Sequence, residues 1–249
     1  MNVAGRFMLS ALLLLTAAPA PGQQGGDLQA QILYAYETED AHSLVNLVQD
    51  LTTRVNAGEE GAPLRYHLAH AQYRRGLLAS AADPREAEAA LSDCIDQLKA
   101  VMAHDVKSAE VLILQSACYG ELADHEKLQS VLLRSRAEER LKVALKQEPR
   151  NPRAVFLAST EGLRQGKPGT AERQRAFAQL LLAVQLFDAS SATSIDTPGW
   201  GHAEAYLRLG QQLQSQGDPL GARNWIEKAL IVAPDYKAAQ RQLALLVRP

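Results

Sequence analysis

The chain has 249 residues, of which 47% are hydrophobic, 22% are charged and only 5% are aromatic. This composition excludes a disordered or fibrous chain, and scarce aromatics with abundant Ala and Leu favour helices over sheets. The formal net charge of −2 gives no basic field with which to bind nucleic acid or anionic lipid.

The first 22 residues have the pattern of a secretory signal peptide. Arg6 precedes a short run dominated by Leu and Ala between Phe7 and Ala18, and small residues and turn formers follow it. This run is too short to span about 30 Å of hydrocarbon. We therefore expect cleavage near Gly22, export to the periplasm and no membrane insertion of the mature chain. An uncleaved anchor is the alternative.

From Leu28 onward, apolar residues recur at spacings of three and four, in segments separated by breaks rich in Gly, Pro or Asp. No stretch alternates with the period of two that is typical of strands. Residues 23–27 are predicted to be disordered. The pattern predicts helices over 28–38, 41–56, 62–79, 84–103, 107–122, 125–148, 151–164, 170–188, 200–215, 219–233 and 235–247. Three of them are predicted to begin with an N-cap residue followed by Pro: Asp83-Pro84, Asn151-Pro152 and Asp218-Pro219.

A repeated pattern of small and large residues is the strongest signal in the chain. It is clearest in residues 203–236, at Tyr206, Leu209, Gly210, Leu213, Ala222, Ile226, Ala229 and Pro234. Its second half recurs at Ala137, Leu141, Ala144 and Pro149. Small residues let two helix backbones approach closely, while large ones fill the grooves beside them. A generic helical bundle with coincidental Ala spacing is the alternative.

The pattern resembles the tetratricopeptide repeat (TPR), a unit of 34 residues that forms a helix hairpin. The resemblance implies an all-α fold, a right-handed superhelical stack of antiparallel helix hairpins of the α-solenoid type. We expect a divergent hairpin within residues 23–61, repeats over 62–234 and a C-terminal capping helix over 235–249.

Cys94 and Cys118 are expected to lie at similar heights on adjacent antiparallel helices, because they are 11 and 13 residues from a turn near residue 105. An exported protein can form disulfides. A disulfide can therefore form if the two Cβ atoms face each other. Two buried free thiols are the alternative.

Patterns of catalysis or cofactor binding are weak. The Gly162–Thr170 segment has neither the Ser or Thr after Lys nor the preceding strand of a phosphate-binding loop. His67 and His70 could share a helix face, but no third zinc ligand accompanies them. We therefore predict no catalytic residues, no metal and no cofactor, and a chain that is not an enzyme. A helical enzyme with an unrecognised site is the least favoured alternative.

Resemblance to TPR proteins implies that the first helix of each hairpin lines a concave groove, which holds a peptide or a partner's helix. The groove candidates are His67, Arg74, Ser116, Tyr119, Arg153, Phe156, Thr160, Glu204, Leu207, Gln211 and Gln214. His67 and Ala71 do not reproduce the basic set with which some TPR proteins clamp carboxylates. Trp200 is expected at a junction between repeats or as an exposed anchor. The sequence predicts a periplasmic protein-interaction module, with a self-associating homo-oligomer as the alternative.

Overall fold

The computed structural model describes residues 21–59, 61–103, 108–190 and 198–246. Within these ranges the chain forms eleven α-helices and no strand. The helices are α1 (Pro21–Glu37), α2 (Ala41–Asn56), α3 (Ala62–Ala79), α4 (Pro84–Ala103), α5 (Ala109–His125), α6 (Ser130–Gln147), α7 (Pro152–Gln165), α8 (Ala171–Ser190), α9 (His202–Ser215), α10 (Pro219–Val232) and α11 (Lys237–Leu246). The predicted all-α fold is confirmed.

Two predicted helix boundaries need correction. The structure begins α1 at Pro21, so residues 23–27 are helical and not disordered; Gln is a good helix former, and Pro is well suited to a first helical position. The predicted helix over 125–148 is wrong at its start, because residues 126–129 turn the chain between α5 and α6. Residues 1–20 of the predicted signal peptide lie outside the described residues.

The helices pack as consecutive hairpins. Contacts are densest within α3–α4, α5–α6, α7–α8 and α9–α10, while α2 and α11 pack against the two ends of this series. The predicted N-caps fold as expected: the Asn151 side chain accepts hydrogen bonds from the backbone N–H groups of Arg153 and Ala154, and Asp218 accepts one from Gly221. These caps satisfy backbone donors that the first helical turn leaves free.

Small residues stand where the helix backbones meet. Ala222, Ile226 and Ala229 are fully buried. A Cβ atom added to Gly210 would lie 2.6 Å from Ile226 Cγ1 and 3.0 Å from the Ala222 carbonyl oxygen. Only a glycine therefore allows α9 and α10 to approach this closely.

The same close approach recurs in two other hairpins. A Cβ atom on Gly162 would meet the Ala176 Cβ at 2.8 Å, and one on Gly76 would meet the Leu91 Cγ at 2.8 Å. The sequence pattern did not single out Gly76. Its contact with α4 shows that the α3–α4 hairpin follows the same packing rule as the clearest repeat.

A disulfide joins Cys94 of α4 to Cys118 of α5, with the two Cα atoms 6.5 Å apart. Both cysteines are fully buried in the cluster of apolar side chains that α3, α4, α5 and α6 share. The bond therefore links the second helix of one hairpin to the first helix of the next.

Within the described ranges, no helix combines the length and the apolar character needed to cross a bilayer.

Candidate binding cleft

The first helices of the hairpins contact one another along the stack: α3 packs against α5 and α5 against α7, and Arg74 of α3 forms an ion pair with Glu204 of α9. We call the surface that α3, α5, α7 and α9 share the inner surface. One half of this surface is filled by other parts of the same chain, which hold the helices in place. Beside the filled half, residues of α5, α6, α7 and α9 line an open cleft.

Trp200 occupies the centre of the filled half. It belongs to the segment before α9, is only 2% exposed and donates a hydrogen bond from Nε1 to Tyr66 Oη at 3.2 Å. Its ring centroid lies 6.2 Å from that of His70 and 6.3 Å from that of Tyr73, both on α3. Of the two alternatives for Trp200, the structure shows the packed position.

Arg74 of α3 lies beside this tryptophan and is fully buried. Its Nη2 is 2.5 Å from Oε1 of Glu204 on α9, and its Nε donates to His70 Nε2 at 3.1 Å. The guanidinium carbon lies 4.2 Å from the ring centroid of Tyr36 on α1. Burial lowers the pKa of His70 well below its usual value, and the Arg74 charge adds to this, so His70 is neutral and accepts the hydrogen bond.

A second buried arginine ties α5 to α7. Arg153 donates to Glu110 from Nε at 2.8 Å and from Nη2 at 2.5 Å. Its Nη1 donates to the Pro198 carbonyl oxygen at 2.6 Å, which fixes the segment that carries Trp200. A bidentate contact of this kind sets both position and orientation.

These contacts change the interpretation of the groove candidates. Five of the eleven are buried: Arg74, Ser116, Tyr119, Arg153 and Leu207. Of these five, Arg74 and Arg153 are covered by other parts of the chain, whereas Ser116 borders the open cleft described below. Helix spacing alone predicts an inner surface that is open along its whole length, whereas α1 and the Trp200 segment cover part of it. The other six are half-buried: His67, Phe156, Thr160, Glu204, Gln211 and Gln214. Their binding role stays a prediction.

The open cleft lies between α5, α6, α7 and α9 and has a volume of about 350 Å³. Its walls combine aliphatic side chains with charged ones. The residues that line it are Ser116, Ala117, Gly120, Glu121, Asp124, Arg134, Ala137, Glu138, Leu141, Leu157, Thr160, Glu161, Leu163, Arg164, Arg208 and Gln212. Two of them, Ser116 and Thr160, were groove candidates.

Most charges in the cleft have partners within the protein. Arg134 pairs with Asp124, and Arg164 Nε donates to Glu161 Oε2 at 2.7 Å. Burial raises the pKa of Glu161, but the hydrogen bonds from Arg164 and Gln165 outweigh it and hold this pKa below its usual value. These side chains therefore line the cleft as ion pairs in which each charge is already neutralised by its partner.

Glu121 is the exception among the carboxylates of the cleft. Within the described part of the chain it makes no hydrogen bond and no ion pair. Burial raises its pKa, Asp124 adds to the rise, and Arg208 and Arg134 oppose it from beyond ion-pair distance. A desolvated carboxylate without a partner is unfavourable and can be stabilised by a ligand that supplies one.

The sequence contained a signal for the cleft that the groove candidates did not use. Steps of four residues along one helix face lead from Ser116 to Gly120 and Asp124, from Thr160 to Arg164, and from Glu204 to Arg208 and Gln212. Residues at this spacing share a helix face. Of the groove candidates, Ser116 and Thr160 line this cleft, whereas Arg74 and Arg153 lie where other parts of the chain cover the inner surface.

His67 and His70 do not form a metal site with any third ligand, since no group of three or more His, Cys, Asp or Glu residues in the described ranges could hold a metal ion. His70 is instead bonded to Arg74.

No protein-family model and no curated protein matches this chain. Several solved structures resemble it. A thermophilic TPR protein of Thermus thermophilus superposes with a TM-score of 0.62 at 19% identity, covering 91% of this chain and 98% of that one. The HusA haemophore of Porphyromonas gingivalis superposes with a TM-score of 0.64 at 18% identity, covering 79% of this chain and 94% of that one. The chain therefore has a TPR-like fold, as its repeat pattern predicts.

Proposed function

We propose that this protein is a non-enzymatic interaction module of the periplasm or cell envelope, and that it binds an extended peptide or a partner's helix in the cleft between α5, α6, α7 and α9. A TPR-like fold suggests a protein-interaction scaffold. The observation that supports the site is the contrast between the two halves of the inner surface. One half is filled by Tyr36 and Trp200, and the other is open.

The size and chemistry of the cleft suit a few side chains of a partner. A volume of about 350 Å³ is at the lower end of the range for ligand pockets. Leu141, Leu157 and Leu163 supply apolar surface, and the charged pairs at the wall supply polar contacts that favour one orientation. This mixture favours recognition of a peptide over burial of a wholly apolar ligand.

The proposal of an exported protein is supported by the disulfide between Cys94 and Cys118. Disulfides persist in the periplasm and outside the cell, whereas reducing systems remove them from most cytosolic proteins.

The second structural neighbour is a haemophore. The cleft gives little reason to extend haem binding to this chain. None of the residues that line it is His, Cys, Met or Tyr, which are the usual axial ligands of haem iron.

Self-association is the second candidate, and exposed apolar side chains in the turn before α6 and at the start of α6 favour it. Leu128 is 100% exposed and Val131 is 83% exposed. Sedimentation of the mature chain over a wide concentration range tests this candidate, and a strict monomer excludes it.

The proposed function can be tested by crosslinking in the cell. A photoreactive amino acid at Thr160 or Gln212, which line the cleft, is expected to capture a protein partner. The same amino acid at Ala89, exposed on α4, is the matched control and should not capture that partner. Equal capture from all three positions, or none from the two cleft positions, argues against the cleft as the binding site.

A further inference from the structure

We infer that the cleft is specific for a cationic side chain, the guanidinium or ammonium group of an Arg or Lys residue of the bound segment, and that Glu121 is its acceptor. This inference rests on the proposed function, because it assigns the chemistry of the partner at the same site. It also differs from carboxylate clamping, for which the cleft would need an excess of unpaired basic residues over unpaired carboxylates.

The distribution of charge in the cleft supports a cation. The lining side chains include four carboxylates and three guanidinium groups. Arg134 forms an ion pair with Asp124, and Arg164 forms one with Glu161. Removing these two neutral pairs leaves Glu121 and Glu138 against Arg208, so the uncompensated charge is negative.

Glu121 lies on α5 and lines the cleft together with Gly120 and Asp124 of the same helix. Arg134 of α6 and Arg208 of α9 line the same cleft. Burial raises the pKa of Glu121, the charge of Asp124 adds to the rise, and the charges of Arg208 and Arg134 oppose it. A group that enters the cleft can therefore contact Glu121.

An organic cation fits this position better than a metal ion. A divalent metal needs several oxygen or nitrogen ligands at one point, and the described residues contain no such group. One guanidinium group can instead bond bidentately to one carboxylate. The aliphatic stem of Arg or Lys would at the same time cover Leu157 or Leu141.

Arg208 provides an independent way to test the assignment. It lines the same cleft, makes no hydrogen bond or ion pair with the described residues, and lowers the pKa of Glu121 from a distance. It therefore competes with an incoming cation. Removing its charge should strengthen cation binding, which a merely structural role of Glu121 would not explain.

The probes are Nα-acetyl-arginine amide, whose only charge is its guanidinium group, and Nα-acetyl-citrulline amide, its neutral analogue. Each is titrated into the full mature protein with 13C-labelled glutamate side chains, and the carboxyl resonance of Glu121 is followed by NMR. The arginine probe should shift this resonance saturably, whereas the citrulline probe should leave it almost unchanged.

Three variants sharpen the result. Glu121→Gln should weaken binding of the arginine probe at least about tenfold, as loss of a charged hydrogen-bond acceptor does, when binding is followed by the amide resonances of Gly120 and Arg208. Glu138→Gln, in the same cleft, should change it less than about threefold. Arg208→Gln, which removes the competing charge, should tighten it. Thermal melts of all variants check that they fold.

Equal shifts from both probes, or an affinity that Glu121→Gln leaves unchanged in a folded protein, overturn the assignment of a cation to Glu121. Crosslinking from Thr160 is unaffected by that outcome, because it reports any partner in the cleft. A partner captured at Thr160 without a response to the arginine probe would therefore reject this inference and leave the proposed function standing.

Discussion

Arg74 of α3 and Glu204 of α9 are 130 residues apart in the chain, yet their side chains form an ion pair with 2.5 Å between Nη2 and Oε1. The pair joins the first hairpin of the series to the fourth across the inner surface. Glu204 Oε2 also accepts a hydrogen bond from the Gly201 N–H, so one carboxylate caps α9 and holds α3. A contact between distant repeats thus holds the first and the fourth hairpin together.

Replacing Arg74 by Met should therefore destabilise the whole protein. The change leaves Glu204 without its cation and removes the guanidinium group that lies over Tyr36. Breaking one partner of a buried pair typically costs about 3–5 kcal/mol of the free energy of unfolding. Urea unfolding followed by circular dichroism measures the loss.

The Arg74→Met, Glu204→Gln double variant should recover a substantial part of that loss, since it removes the uncompensated charge as well. Arg223→Met is the matched control. Arg223 pairs with Glu227 on the exposed face of α10, where a broken pair should cost less than about 1 kcal/mol. Similar losses from Arg74→Met and Arg223→Met would contradict a structural role for the buried pair.

Two glycine substitutions test the packing rule of the repeat. Gly210→Ala should destabilise by about 1–3 kcal/mol, because its Cβ would meet Ile226 Cγ1 at 2.6 Å and the backbone of Ala222 at 3.0 Å. Gly120→Ala on α5 should instead stabilise by about 0.5–1 kcal/mol, because nothing lies within 4 Å of its added Cβ and Ala is the better helix former. Thermal unfolding measures the change in stability of both variants. If both variants are destabilised or both are stabilised, the steric explanation is wrong.

The helices could be predicted from the sequence because their signals are local. Apolar spacing, Pro at helix starts and Asn151 or Asp218 as N-caps act within a few residues, and the structure has a helix for every predicted one. Gly210 and Ala222 also indicated their hairpin, since the repeat places them at a fixed spacing.

The site was harder to predict because it depends on contacts between distant repeats. Nothing near Arg74 in the sequence indicates that Glu204 will pair with it or that Trp200 will cover it. The inner surface was therefore predicted to be open where it is filled. The open cleft could be found from the sequence only by continuing the same helix faces, in steps of four residues, to Asp124, Arg164 and Arg208.

Because of the disulfide, we expect the free energy of unfolding to be larger for the oxidised protein than for the reduced one. Cys94 and Cys118 are separated by 24 residues, and closing a loop of this length should contribute about 3.5 kcal/mol by restricting the unfolded chain. Chemical denaturation of the Cys94→Ala, Cys118→Ala variant measures the loss, and the reduced parent should lose a similar amount. The oxidised chain should have a mass lower than the reduced chain by two hydrogens. Two free thiols in the protein recovered from the envelope would contradict the bond.

Glu37 lies at the end of α1, and we expect its contribution to the free energy of unfolding to fall as the pH rises. Burial raises its pKa from 4.5 to about 7, and the nearby charge of Glu204 adds to the rise. The folded chain therefore holds a proton that the unfolded chain releases, so this contribution is complete below pH 4.5 and is lost as the pH rises through 7. Glu37→Gln should stabilise the protein relative to the parent by about 1–2 kcal/mol more at pH 8 than at pH 5, with allowance for solvent screening of a half-exposed side chain.

Glu39 is a matched control for Glu37, with the opposite sign. A hydrogen bond from Arg241 holds the pKa of Glu39 below its usual value, so its contribution is present above the unfolded pKa of about 4.5 and is lost as the pH falls. Glu39→Gln should therefore be more destabilising at pH 8 than at pH 4. Urea unfolding at each pH compares both variants with the parent. If Glu37→Gln shows the same pH trend as Glu39→Gln, the end of α1 does not lie against Glu204, and the filled half of the inner surface must be arranged differently.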